Sequence, residues 1–214
     1  MKKVILSTAF LISSIVLFAQ SEKYMAAMKS NIAAIDSSFK APANLISPAN
    51  NFERIAMAEK NQWLPYYYAA FCQVYSGLLE QDKSKADAIA DKATGLLNKA
   101  DSLQQNNSEI SCIKSMIATC HMLVNPMQRY MEYGQESSSQ LENAMKQDTS
   151  NPRPYYLIGQ NLKHTPEQFG GGCTKAKPVL KKGVEKYEAF KPVNSLYPNW
   201  GKERTAQLLS ECDK

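Results

Sequence analysis

The stretch AMKQDTSNPRPYYLIGQNL, residues 144–162, contains the pattern that decides the fold. The helical spacing of one segment stops before a polar link. Asn151-Pro152 then supplies an N-cap and a first-turn proline for the next helix. That helix continues through Tyr155, Ile158 and Leu162, apolar residues at three- and four-residue steps. Because the link is short, the two helices are predicted to pack antiparallel as a hairpin.

The same helical spacing recurs along the whole chain. Its 214 residues include only 9 Gly and 10 Pro, which disfavours a turn-rich β architecture, and no segment shows two-residue alternation. The sequence therefore predicts an all-α fold of about nine helices in antiparallel hairpins. No shift in composition marks a second domain, so residues 20–214 are predicted to form one domain. The predicted helices are Met25–Phe39, Ser47–Ala58, Leu64–Leu79, Ala86–Leu103, Ile110–Leu123, Tyr133–Met145, Asn151–Leu162, Val179–Tyr187 and Trp200–Leu209.

The N-terminus has the composition of a secretory signal peptide over residues 1–19. Two lysines precede an almost uncharged apolar run, Val4–Phe18, and a small residue follows it. The alternative is a membrane anchor, although the run is short for a span of about 20 residues. No cysteine precedes Cys72, which argues against a lipoprotein anchor. We therefore expect cleavage and a soluble protein outside the cytoplasm, either periplasmic or secreted.

Charge and side-chain chemistry exclude several classes of function. The formal net charge is +5, and removing the two N-terminal lysines leaves +3, too weak a charge to indicate nucleic-acid binding. There is no Cys-x-x-Cys, and His121 and His164 are the only imidazoles, so we expect neither a metal site nor a cofactor. The carboxylates are scattered over polar helix faces, so the sequence indicates no acid–base pair and no enzyme.

The residues of the hairpin at 144–162 resemble the junction between two tetratricopeptide repeats. Tyr155 matches the first large aromatic residue of that repeat, Ile158-Gly159 matches its large-then-small pair, Leu162 matches its next large residue, and Ala144 matches the small residue that ends the preceding helix. Elsewhere the period is irregular. The chain therefore resembles a degenerate tetratricopeptide-repeat protein of the kind that bacteria secrete, and the resemblance implies an α-solenoid of stacked hairpins.

The resemblance also implies a partner-binding surface. Tetratricopeptide proteins bind partners along the concave face of their first helices. The positions of the Tyr155 helix that this register leaves exposed have the chemistry to bind an acidic peptide or a carboxylate, and a plain solvated face is the alternative. The positions are Arg153, Tyr156, Gln160, Lys163 and His164.

Two of the five cysteines are placed to form a disulfide. Cys173 opens the eighth predicted helix and lies 19 residues before Pro192, and Cys212 closes the ninth and lies 20 residues after Pro192. If the two helices turn near Pro192, both thiols lie at the same open end. An extracytoplasmic compartment permits the bond. Free thiols or a reactive cysteine remain the alternatives.

The other cysteines show no catalytic arrangement. Cys120 and His121 are neighbours on one helix and therefore point about 100° apart, so they do not form a nucleophile–base pair. Cys112 and Cys120 are predicted to be buried structural residues. The pairing of Cys72, Cys112 and Cys120 stays open.

The sequence thus favours an extracytoplasmic helical-repeat scaffold that binds a protein or peptide and catalyses no reaction. The alternative is a periplasmic small-molecule-binding accessory protein of an uptake system, which would need a pocket with a few converging polar groups. Neither interpretation involves nucleic acid or a membrane span after signal cleavage.

Overall fold

The computed structural model describes residues 22–35 and 42–213. The predicted signal peptide, residues 1–19, lies outside this part of the chain. Within it, no helix combines the length and the apolar character needed to cross a bilayer.

The predicted helices are found among the described residues, except that residues 36–39 of the first one lie outside them. The described residues contain no β-strand, so the all-α prediction is confirmed. A short helix and a π-helical turn, Tyr130–Gly134, precede the predicted sixth helix. The helices are α1 (22–35), α2 (Ile46–Ala58), α3 (Trp63–Leu79), α4 (Ala86–Leu103), α5 (Ser108–Met122), α6 (Pro126–Arg129), α7 (Gln135–Gln147), α8 (Arg153–His164), α9 (Cys173–Ala189) and α10 (Lys202–Glu211).

Asparagine side chains mark the start of three helices. The side chain of Asn107 accepts hydrogen bonds from the first turn of α5, including one of 2.9 Å from the Glu109 N–H. Asn125 caps α6, where Pro126 takes the first helical position. Asn151 Oδ1 accepts the N–H of Arg153, the first residue of α8, at 2.9 Å. Each cap satisfies a backbone donor that the helix itself leaves unpaired.

Helices that are close in sequence are also in contact in space. The pairs α3–α4, α5–α7 and α8–α9 pack as hairpins, and their first helices form a row because α3 contacts α5, α5 contacts α8, and α8 contacts α10. The second helix of each hairpin also contacts the first helix of the next. The tetratricopeptide-like repeat itself stays a prediction.

The close approach of α8 and α9 depends on Gly159. A Cβ atom at this position would lie 2.4 Å from Cδ2 and 2.6 Å from Cγ of Leu180, a fully buried residue of α9. The interior is densely packed, so Leu180 has little room to move away. The small residue of the large-then-small pair therefore lets the two helix surfaces meet.

A disulfide joins the start of α9 to the residue after α10. Cys173 and Cys212 are bonded, with their Cα atoms 5.2 Å apart. The other three cysteines, Cys72, Cys112 and Cys120, are unpaired and buried. Burial raises the pKa of the Cys120 thiol to about 11 and raises those of the other two as well. They are therefore protonated and shielded from reagents at neutral pH.

We expect Gly159→Ala to lower the free energy of unfolding by about 1–3 kcal/mol, because the new methyl group overlaps Leu180. Gly95→Ala is the matched control, since a Cβ at Gly95 in α4 meets no atom within 4 Å. That change should stabilise the protein by about 0.5–1 kcal/mol through helix propensity. Urea unfolding of both variants measures the difference, and equal effects would contradict the packing argument.

We expect the double variant Cys173→Ser/Cys212→Ser to lose about 4 kcal/mol of stability, the chain-entropy value for the 39-residue separation of the two cysteines. Guanidinium unfolding with and without a reductant measures this loss. The reductant should destabilise the wild type and leave the double variant unchanged. A thiol titration in denaturant without reductant should find three thiols, and a count of five would show that the bond is absent.

Candidate ligand-binding site

The structure divides the five predicted partner-binding residues of α8 into a buried group and an accessible group. Arg153 and Tyr156 are buried, so the expectation that all five are exposed is wrong for these two. The residues between α9 and α10 cover this end of α8, and the Pro198 carbonyl accepts a hydrogen bond from Arg153 Nη2. Phe190 and Trp200 flank the guanidinium, with their ring centroids at 4.9 and 5.3 Å. The repeat register alone does not reveal this covering segment.

Arg153 instead forms a buried ion pair with Glu109 of α5. Arg153 Nη1 lies 2.9 Å from Glu109 Oε1, and neither side chain has exposed surface. Glu109 also accepts hydrogen bonds from Asn151 at 2.8 Å and from the Tyr67 hydroxyl at 3.2 Å. Burial raises the pKa of Glu109, and the Arg153 charge opposes that rise. Three helices and the segment before α10 thus meet at one polar cluster, in which Arg153 Nε is a buried donor without a hydrogen-bond partner.

The last turn of α8 remains accessible and meets α10. Lys163 Nζ contacts Glu211 Oε2, and Arg204 Nη1 lies 3.2 Å from Glu211 Oε1, so one carboxylate bridges two cations. His164 is exposed beside them. Gln160 lies one turn earlier and accepts a hydrogen bond of 2.7 Å from the Tyr156 hydroxyl. We call Lys163, His164 and Arg204 the basic face.

The charges of the basic face shift the pKa values of His164 and of the neighbouring Glu211. Partial burial lowers the pKa of His164, and the Lys163 and Arg204 cations lower it further. A hydrogen bond from Lys163 lowers the pKa of Glu211. Near neutral pH the imidazole is therefore uncharged, which is the form that coordinates metal ions.

The loop that follows His164 folds back onto the end of α8. The Gly172 N–H donates to the Leu162 carbonyl at 2.8 Å and to the Thr165 carbonyl at 2.9 Å. Gly171 permits this close approach, since a Cβ there would lie 2.0 Å from the Thr165 oxygen. The loop presents Phe169 with 60% of its surface exposed. The loop that follows α8 thus presents an exposed aromatic ring.

A second accessible surface lies on α6 and the π-helical turn. Met127, Tyr130 and Met131 are 85%, 51% and 67% exposed, and we call them the Met–Tyr surface. The latter two residues line an open hollow of about 350 Å³, which Glu142 also borders. Exposed thioethers and phenols are typical of adaptable binding surfaces, and π-helical turns recur at functional sites. Sequence periodicity did not single out this surface.

The charges around the Met–Tyr surface are mainly acidic. Glu132 and Glu136 are exposed on the same segment. Arg129, the cation of this segment, donates a hydrogen bond of 2.7 Å to Asp87. Asp87 also lies 2.7 Å from His121 Nδ1. The guanidinium charge is therefore largely neutralised within the fold.

Comparison with solved structures identifies a relative. The HusA haemophore from Porphyromonas gingivalis is 40% identical in sequence, and the match covers 88% of this chain and 92% of that chain with a TM-score of 0.79. The chain belongs to the HusA haemophore family. No protein-family profile matches it, and no curated protein sequence does so.

Membership of the HusA haemophore family changes the weight of the two interpretations made from the sequence. The relative is named for binding haem, which is a small molecule. The comparison therefore supports the small-molecule alternative better than the protein- or peptide-binding scaffold. Arg153 is buried and paired with Glu109, so it is not available to contact a ligand.

We expect Arg153→Met to lower the free energy of unfolding by about 3–5 kcal/mol, because it leaves the Glu109 carboxylate buried without its partner. Adding Glu109→Gln should recover part of the loss. Arg204→Met is the matched control, since its exposed ion pair contributes at most about 1 kcal/mol. Chemical denaturation of the variants decides the point, and equal losses for the two arginines would contradict the assigned role.

Proposed function

We propose that the protein binds haem outside the cytoplasm and belongs to a haem-uptake system. The observation that carries the proposal is the 40% identity to the HusA haemophore over 92% of that chain. The TM-score of 0.79 shows that the two chains share their fold. The predicted signal peptide supports an extracytoplasmic location. The degenerate tetratricopeptide repeat remains part of this proposal as the scaffold that presents the binding surface.

The chemistry of haem defines what a binding surface must supply. The macrocycle is flat and apolar, the iron takes His, Met, Tyr or Cys ligands, and two propionates carry negative charge. A site therefore needs apolar or aromatic contact area for the macrocycle, to which an iron ligand or a cation near the propionates would add affinity. Among the described residues, exposed side chains such as Met127, Met131 and Phe169 can supply apolar contact to the macrocycle.

Protein binding remains a second candidate function, and the Met–Tyr surface favours it. Met and Tyr are enriched at protein interfaces relative to the rest of a protein surface. An uptake system also requires that a carrier transfer its cargo to another component. The protein-binding interpretation made from the sequence is therefore retained for this surface, and the non-enzymatic character stays a prediction.

We expect the protein to bind haemin at a stoichiometry of one, with a Kd below about 1 µM, equivalent to more than about 8 kcal/mol. Titration followed by the shift of the Soret absorption band measures the binding, and native mass spectrometry checks the stoichiometry. The guanidinium-unfolded chain is the control for nonspecific adsorption. A wild-type protein that gives no saturable shift would contradict the proposed function.

A further inference from the structure

We propose that the row of first helices, α3, α5 and α8, forms a groove for an extended apolar peptide, and that the chain fills this groove with its own residues 194–201. We call these residues, NSLYPNWG, the crossing segment. The ligand class is a peptide, which differs from the haem of the proposed function. The contacts between the helices and the crossing segment carry the proposal.

The crossing segment faces the helices with every second residue. Leu196, Pro198 and Trp200 are buried, whereas Ser195 and Asn199 are exposed. This two-residue alternation is the pattern of an extended chain that lays one side against a surface. The segment therefore lies on the helices in the way that a bound peptide would.

Side chains of the helices bind the backbone of the crossing segment. The carbonyls of its three buried residues each accept a hydrogen bond, from Tyr68 of α3 at 2.9 Å, from Arg153 of α8, and from Tyr187 of α9 at 2.9 Å. Two of its own N–H groups donate hydrogen bonds, and both go to Asn194. Donors that bind backbone carbonyls do not depend on the side chains of the ligand, so the same donors can hold another peptide.

Trp200 is the anchor of the crossing segment. Its ring stacks on Phe71 with centroids 4.8 Å apart, and its indole N–H donates a hydrogen bond of 2.8 Å to the Tyr67 hydroxyl. The ring of Tyr156 packs edge-on with its centroid at 6.0 Å. A large aromatic residue in such a pocket commonly supplies most of the affinity of a complex. A competing peptide therefore needs an aromatic residue here, preceded by apolar residues at alternate positions.

The crossing segment leaves one donor of the groove unused. Arg153 Nε is buried and has no hydrogen-bond partner, although Phe190 and Trp200 flank the guanidinium. A buried donor without a partner costs free energy. A peptide that brings one more acceptor to this point would satisfy it, so the groove can hold a better ligand than the crossing segment.

The covalent tether favours the crossing segment in the intact protein. The disulfide between Cys173 and Cys212 closes the chain on both sides of the segment, which therefore stays near the groove even when it leaves it. A ligand tethered in this way acts at an effective concentration on the order of 1 mM. The intact protein should therefore exclude external peptides, in agreement with the burial of Arg153.

The main experiment weakens the internal ligand and offers the same sequence as a separate peptide. The full chain with Leu196→Ser/Trp200→Ser is titrated with a fluorescein-labelled peptide of residues 193–201, and fluorescence anisotropy measures the binding. We expect saturation with a Kd of about 100 µM or less, a tenth of the effective concentration of the tethered segment. Wild type should bind at least about tenfold more weakly, because its tethered segment competes. Val193→Ser, at an exposed residue beside the segment, is the matched control and should behave as wild type.

A peptide with serine in place of both anchor residues should not bind the double variant. If the double variant does not fold alone, the unaltered peptide should restore its helical circular dichroism with increasing concentration, because a ligand stabilises the folded state that binds it. The proposal is wrong if the peptide neither binds a folded variant nor restores an unfolded one, or if the wild type binds the peptide as tightly as the variant does. Haemin titration of the wild type tests the proposed function separately, so the two can fail independently.

Discussion

A buried ion pair between Arg153 and Glu109 is the interaction on which the rest of the structure depends. Both charges lie where water does not reach, so each requires the other, and each requires the surrounding hydrogen bonds. The pair aligns α5 with α8, and Tyr67 brings α3 into the same cluster. The Pro198 carbonyl and the Trp200 ring then draw the segment before α10 across the first turn of α8. The same cluster thus sets the alignment of α5 with α8 and the path of the segment before α10.

Because the segment before α10 covers only the first turn of α8, the two ends of this helix differ in exposure. Its first turn is covered and structural, whereas its last turn meets α10, where Glu211 bridges Lys163 and Arg204. The disulfide at Cys173 keeps the end of α10 beside the loop that follows α8. A single helix therefore links the interior of the protein to its accessible basic face.

Exposed apolar side chains and positively charged side chains lie on different surfaces of this protein. The Met–Tyr surface groups three exposed large apolar side chains, including Met127, the most exposed one among the described residues. The basic face offers less apolar area and carries two cations that share the Glu211 carboxylate, with an accessible imidazole beside them. Exposed apolar area favours contact with an apolar partner, whereas charge favours a partner of opposite sign.

The sequence by itself determined the helices, their order, the Asn151 cap and the small residue at position 159, because periodicity, capping and close approach are local properties of neighbouring residues. The spacing of Cys173 and Cys212 about a turn likewise led to the pair that the structure joins. Only the tertiary structure decided that Arg153 is buried, since its partner is 44 residues away. It alone also brought Glu211 to Lys163 across 48 residues. Such pairings depend on how whole helices pack, which no local pattern encodes.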